Sequence, residues 1–159
     1  MGFTARRFAA EPAQTWPGMK AAAEQRFWAG LCLATTEAGH EASAIYLWGY
    51  VAEMLLKAAY CEFTQKPPCD DVYGPLKTEI KSANLHSLRG LGVFLIDTRA
   101  QFAPMDAAVA GDLLIRIQSL ETHWNVAMRY SSVPATESEL EDVYESIRWI
   151  RSAYADLWS

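Results

Sequence analysis

IYLWGYVAEMLLKAAYC, residues 45–61, is the stretch whose reading decides the fold. Ile45, Trp48, Ala52, Leu55 and Ala59 recur at helical spacing and cover one face. Leu47, Val51, Met54, Ala58 and Cys61 cover a second face. What remains is one narrow stripe: Tyr46, Tyr50, Glu53, Lys57 and Tyr60, at alternating spacings of four and three. A helix that is apolar nearly all round is enclosed by several neighbours. The segment, extended to about Glu41 and Phe63, is therefore the central element of a helical cluster. Glu53 and Lys57 stand four apart with the acid first, the favourable order. On an enclosed helix such charges need partners, because a desolvated ion without one is costly. His86 and Arg129 are the residues expected to reach them from neighbouring elements.

Working outward, residues 1–15 read as an irregular arm and 16–159 as one domain. Thr15 and Pro17 suit a helix start, because proline in the first turn lacks only a donor that would be unpaired anyway. Ala23, Phe27, Leu31 and Ala34 then form an apolar stripe that runs to about Glu37, with Gly39 as the stop. Pro67-Pro68 breaks the chain after the central helix, and a short helix is expected over residues 75–82. The next helix begins near Leu85 to Ser87, with Leu88, Leu91, Leu95, Ile96 and Phe102 as its buried residues. Gly90 and Gly92 weaken it, and suggest close approach of another helix. Pro104 separates it from a helix over about 105–128, buried through Val109, Leu113, Ile117, Leu120, Trp124 and Ala127. Thr136-Glu137-Ser138-Glu139 is a capping box that opens the last helix. Leu140, Tyr144, Ile147, Ile150, Tyr154 and Leu157 are its core stripe. No segment alternates with period two for long enough to be a strand. The expectation is an all-α, up-and-down bundle of four long helices plus a short helix.

Composition bounds the function. With 159 residues, 51% hydrophobic, the chain has material for a single core. Fourteen basic against nineteen acidic residues give a net charge of −5, which weighs against a general nucleic-acid binder: phosphate neutralisation supplies most non-specific affinity. RNA or a nucleotide as ligand would need a local basic patch. Cys32, Cys61 and Cys69 form no metal-ligand pattern, and an odd count argues against a disulfide framework. Two helical thiols, both buried, and one loop thiol in a reducing cytoplasm are expected. No stretch approaches a membrane span, and the first ten residues lack the apolar run of a secretory signal.

The chain has no phosphate-binding loop, no dinucleotide fingerprint, no HExxH and no GxSxG. His40, His86 and His123 lie far apart, with no second ligand at metal spacing, so neither metal nor cofactor is expected.

Three segments carry a likeness. Ala44–Ala58 (AIYLWGYVAEMLLKA) resembles the signature helix of the HEPN superfamily. His86–Leu91 (HSLRGL) is similar to that family's His-x-Leu-x-x-Leu, and Trp124–Ser131 (WNVAMRYS) to its Trp and Arg-Tyr element. The three stand in the family's order and cover roughly residues 40–158. The resemblance implies a helical bundle, a homodimer, and a setting of toxin–antitoxin pairs, phage defence or partnership with a minimal nucleotidyltransferase. Many members are metal-independent ribonucleases with an Arg, four to six intervening residues and a His. This chain departs from that motif: beyond Arg129, the positions where the His should fall are Pro134, Ala135 and Thr136. One other match to the spacing exists, Arg116 and His123, seven apart on one helix.

Three functions stay open at this point. The first is a HEPN-like binding or assembly module that is non-catalytic, with Glu53, Lys57, His86, Arg129 and Tyr130 as a polar cluster binding a ligand or organising the bundle. The second is a divergent ribonuclease, with His123 as general acid–base and Arg116 stabilising the phosphorane charge. The third is a plain helical scaffold or dimerisation protein.

Overall fold

A computed structural model describes residues 16–36, 39–65, 86–130 and 133–158. The arm over 1–15 and the expected short helix over 75–82 lie outside the described residues. Five α-helices and one 3₁₀ turn make up the described chain, and no strand occurs among these residues. They are α1 Trp16–Thr35, α2 Glu41–Thr64, α3 Leu88–Ala100, α4 Ala107–His123 and α5 Glu137–Trp158, with the 3₁₀ turn Val126–Tyr130 between α4 and α5. No helix among the described residues is long and apolar enough to cross a membrane.

The central position of α2 follows from its apolar circumference. It packs against α1, α3, α5 and the 3₁₀ turn. An unbroken run from Leu55 to Cys61 is buried, along with Ala44, Ile45, Trp48, Val51 and Ala52. An aromatic set closes the α1–α2–α5 junction. Trp48 lies 5.2 Å from Tyr144 and 6.4 Å from Phe27, ring centre to ring centre. The Trp48 indole N–H donates to the Phe27 carbonyl at 3.1 Å, so this buried tryptophan is satisfied.

Pair contacts fix the helix directions. Lys20 meets Glu62 while Phe27 meets Trp48, so α1 and α2 are antiparallel. Glu53 meets His86, Tyr60 meets Phe94 and Phe63 meets Phe102, so α3 runs parallel to α2. Trp48 with Tyr144 and Glu62 with Tyr154 make α5 parallel to α2 as well. Gly92 sits against Ile117 and Ser87 against Glu121, so α4 opposes α3. The order is therefore up, down, down, up, down. This departs from a simple up-and-down bundle at one link. The connection from Gln65 to His86 is long enough to return the chain to the other end before α3 starts, whereas a tight turn would force antiparallel neighbours.

Most of the expected core is in place: Ala23, Phe27, Leu88, Leu91, Leu95, Leu113, Ile117, Leu120, Trp124, Ile147, Ile150, Tyr154 and Leu157 are all buried. Leu31, Ala34, Leu47, Met54, Ile96, Leu140 and Tyr144 are partly buried, and three expected core residues are exposed. Phe102 is 76% exposed because α3 ends at Ala100 and Phe102 lies on the turn beyond it. Val109 is exposed in the first turn of α4, before that helix reaches its neighbours. Ala127 is exposed because α4 ends at His123, five residues earlier than its pattern suggests. Trp124 there turns extended (φ −127°, ψ 135°), and its indole N–H reaches the Tyr46 carbonyl at 3.2 Å. The ring lies directly over Gly49, where a Cβ would overlap it. Asn125 Oδ1 accepts from the Ala127 N–H at 2.9 Å and shapes the 3₁₀ turn that follows. Of the thiols, Cys61 is buried and Cys32 is exposed, which corrects the expectation of two buried helical cysteines. Cys32 falls on the outer face of α1, off the stripe of Ala23 and Phe27.

Helix ends are capped by their own sequences. Ser87 Oγ accepts from Gly90 N–H at 3.0 Å, and Asp106 Oδ1 from Ala108 N–H at 2.9 Å. In the capping box, the Thr136 N–H donates to Glu139 Oε2 at 2.7 Å and the Glu139 N–H to Thr136 Oγ1 at 3.3 Å.

Candidate functional site

The residual stripe of α2 does not face water. Its upper part, Tyr46 and Tyr50, packs beside Trp124, with Tyr50 5.6 Å from that ring. Its lower end, Tyr60, packs on Phe94 of α3 at 5.4 Å. Glu53 and Lys57 lie between them, 5% and 7% exposed. Lys57 Nζ donates to Glu53 Oε1 at 2.5 Å. His86, on the turn just before α3, places Nδ1 3.0 Å from both oxygens of the same carboxylate. The Glu53 carboxylate is thus held between an ammonium on its own helix and an imidazole on the next element. Every buried side-chain nitrogen and oxygen among the described residues has a hydrogen-bond partner, so the desolvation cost of this pair is met by contacts.

A second carboxylate bonds the next residue along. Glu121, near the end of α4, accepts from Ser87 Oγ at 3.2 Å and from the Arg89 N–H at 2.9 Å. It sits at the N-terminus of α3, where free N–H groups and the helix dipole favour negative charge. The dipeptide His86-Ser87 therefore ties α2 through Glu53 and α4 through Glu121 to the start of α3. Sequence reasoning missed Glu121. Its only signal was an acid two residues before His123, near the end of the helix.

Of the five residues expected to cluster, Glu53, Lys57 and His86 meet. Tyr130 lies on the 3₁₀ turn and is 79% exposed. Arg129 stands beside it on the backbone, and its side chain lies outside the described residues. Arg116 and His123 are not brought together within the chain. They stand seven positions apart along α4, a rise of about 10.5 Å. His123 instead turns to α5, with Nε2 3.5 Å from Asp142 Oδ2 and Nδ1 3.8 Å from Glu139 Oε1. Backbone and side-chain bonds from Thr136 hold the Glu139 carboxyl below its ordinary value, with His123 adding to the effect.

Two other polar groupings brace the bundle. Arg151 grips Glu24 with two bonds, at 2.7 and 2.5 Å, and lies 4.2 Å over the Phe27 ring. The pair lowers the Glu24 carboxyl and raises the Arg151 guanidinium from their ordinary values. Tyr154 donates to Glu62 at 2.9 Å, and Lys20 reaches the same carboxylate oxygen at 3.2 Å. Burial, then the bond to Glu62, pushes the Tyr154 phenol far above its ordinary value, so it acts as a donor and not as a base.

Chemically, the Glu53–Lys57–His86 arrangement can hold charge and orient an imidazole. Neither it nor any other group of His, Cys, Asp and Glu among the described residues is arranged to hold a metal ion. Compared with known proteins, the chain matches no family model, no curated protein and no solved structure.

Proposed function

We propose that this chain is a HEPN-like binding or assembly module without ribonuclease chemistry, working as its own dimer or beside a minimal nucleotidyltransferase. The reading rests on the resemblance of the three segments named above. One observation carries it furthest: Glu53 from the first segment, buried with Lys57, makes direct contact with the partly exposed His86 from the second. Trp124 of the third closes on Gly49 of the first. Residues that the resemblance singles out are thus engaged with one another in joining helices. Arg116 and His123, which a ribonuclease would use, make no contact within the chain, and His123 is turned toward the carboxylates of α5.

The test is cleavage of single-stranded RNA by the wild-type chain and by His123→Ala, with sedimentation equilibrium run on the same samples. The expected outcome is a dimer that leaves RNA intact. Cleavage that disappears in His123→Ala would replace the proposal with the divergent ribonuclease, its site formed between two protomers.

A further inference from the structure

The three histidines of the chain stand in three settings. His123 has a carboxylate facing each ring nitrogen, Asp142 at Nε2 and Glu139 at Nδ1, and its side chain is 18% exposed. His40, just before α2, is exposed, and its side chain makes no hydrogen bond among the described residues. His86 has one ring nitrogen fixed by a buried acid. Its Nδ1 lies 3.0 Å from both Glu53 oxygens. That carboxylate also takes the Lys57 ammonium, and an ionised carboxylate only accepts, so Nδ1 carries the proton. The lone pair of the neutral ring is then on Nε2. The Glu53 side chain is 7% exposed and the His86 side chain 44%, so the edge of the ring that water reaches is the one away from Glu53.

An imidazole whose tautomer is set by a buried carboxylate, with its lone-pair nitrogen outward, is the arrangement that makes histidine a base or a nucleophile. The neighbouring charge selects the electrophile. Arg89 stands three positions on, in the first turn of α3; it is exposed, and its guanidinium makes no hydrogen bond or ion pair among the described residues. Glu121 already occupies the Ser87 hydroxyl and the Arg89 N–H. The guanidinium, and not the helix end, is therefore the cation available to an incoming anion. Guanidinium groups pair best with carboxylate and phosphate. Of the two, the phosphoryl group is the one that keeps its negative charge on transfer to nitrogen.

We propose that His86 accepts a phosphoryl group on Nε2 from an acyl phosphate or phosphoramidate donor. The Nε2 lone pair attacks phosphorus. The N–P bond forms as the donor's bond to phosphorus breaks, and that electron pair leaves with the carboxylate or the amine. Nδ1 keeps its proton, and Glu53 meets the positive charge of the ring. The inference stands on this geometry and not on the family reading, so its failure leaves that reading in place.

Potassium phosphoramidate is the probe, used with the full chain and followed by phosphorus NMR and by peptide mass spectrometry at alkaline pH, where phosphohistidine survives. His40 is the internal control, an exposed imidazole with no hydrogen bond to an acid. His86 should be labelled on Nε2 about tenfold faster than His40, the order of effect of one charge-assisted hydrogen bond. Glu53→Gln/Lys57→Met keeps an amide oxygen for Nδ1 but removes the charge. It should bring His86 down to the rate of His40, with the melting temperature showing that the variant is folded. Labelling of His86 no faster than His40 in the wild-type chain overturns the proposal without any variant. So does an unchanged rate in the folded double variant. Rapid reaction of His86 with neutral diethyl pyrocarbonate, with no phosphoryl uptake, also overturns it.

Discussion

Replacing Lys57 by Met removes one charge from a buried pair and keeps nearly the same volume. Glu53 is then left 5% exposed, with only the His86 imidazole at 3.0 Å. Breaking a buried ion pair by removing one partner costs about 3–5 kcal/mol. In a chain of 159 residues such a loss lowers the melting temperature by roughly 6–20 °C. Glu53→Leu/Lys57→Met removes both charges, and should recover most of the stability, because an apolar pair can replace a buried ion pair at little cost. Urea denaturation followed by circular dichroism at pH 7 compares both variants with wild type. A Lys57→Met loss below about 1 kcal/mol, or a double variant no more stable than Lys57→Met alone, would show that Glu53 does not depend on Lys57 and would refute the reasoning.

Two further outcomes follow from single contacts. Gly49→Ala should destabilise the fold by about 1–3 kcal/mol despite gaining about 1 kcal/mol of helix propensity, because the new methyl overlaps the rigid Trp124 ring. A stable Gly49→Ala protein with an unshifted Trp124 indole signal would contradict the packing of the α4–α5 connection on α2. The Glu24 carboxyl is lowered chiefly by the hydrogen bonds from Arg151, so its contribution to stability is present above the ordinary value of 4.5 and is lost as pH falls through its folded value. Wild type should therefore exceed Glu24→Gln in melting temperature at pH 6, and the gap should close as pH is taken from 4.5 toward 3; a gap independent of pH would assign the effect to packing alone.

What the amino-acid order settled by itself was local. The apolar circumference of residues 45–61 demanded an enclosed helix, and α2 is enclosed. The capping box at Thr136 and Glu139 is an interaction over three residues, and it formed where the letters place it. The pairing of Glu53 with Lys57 is equally local, and the need for a further partner pointed to His86. What tertiary structure decided was everything set by contacts between distant residues. The pattern of α4 continues past His123, but the helix ends there because the Trp124 indole finds the Tyr46 carbonyl and a glycine to lie over, 78 and 75 positions away. Helical periodicity is the same in both directions along an axis, so no stripe of residues could say that α3 runs parallel to α2. Glu121 likewise finds Ser87 and Arg89 only once α4 is packed against the start of α3. Spacing along a chain fixes which residues share a face; only packing fixes what that face meets.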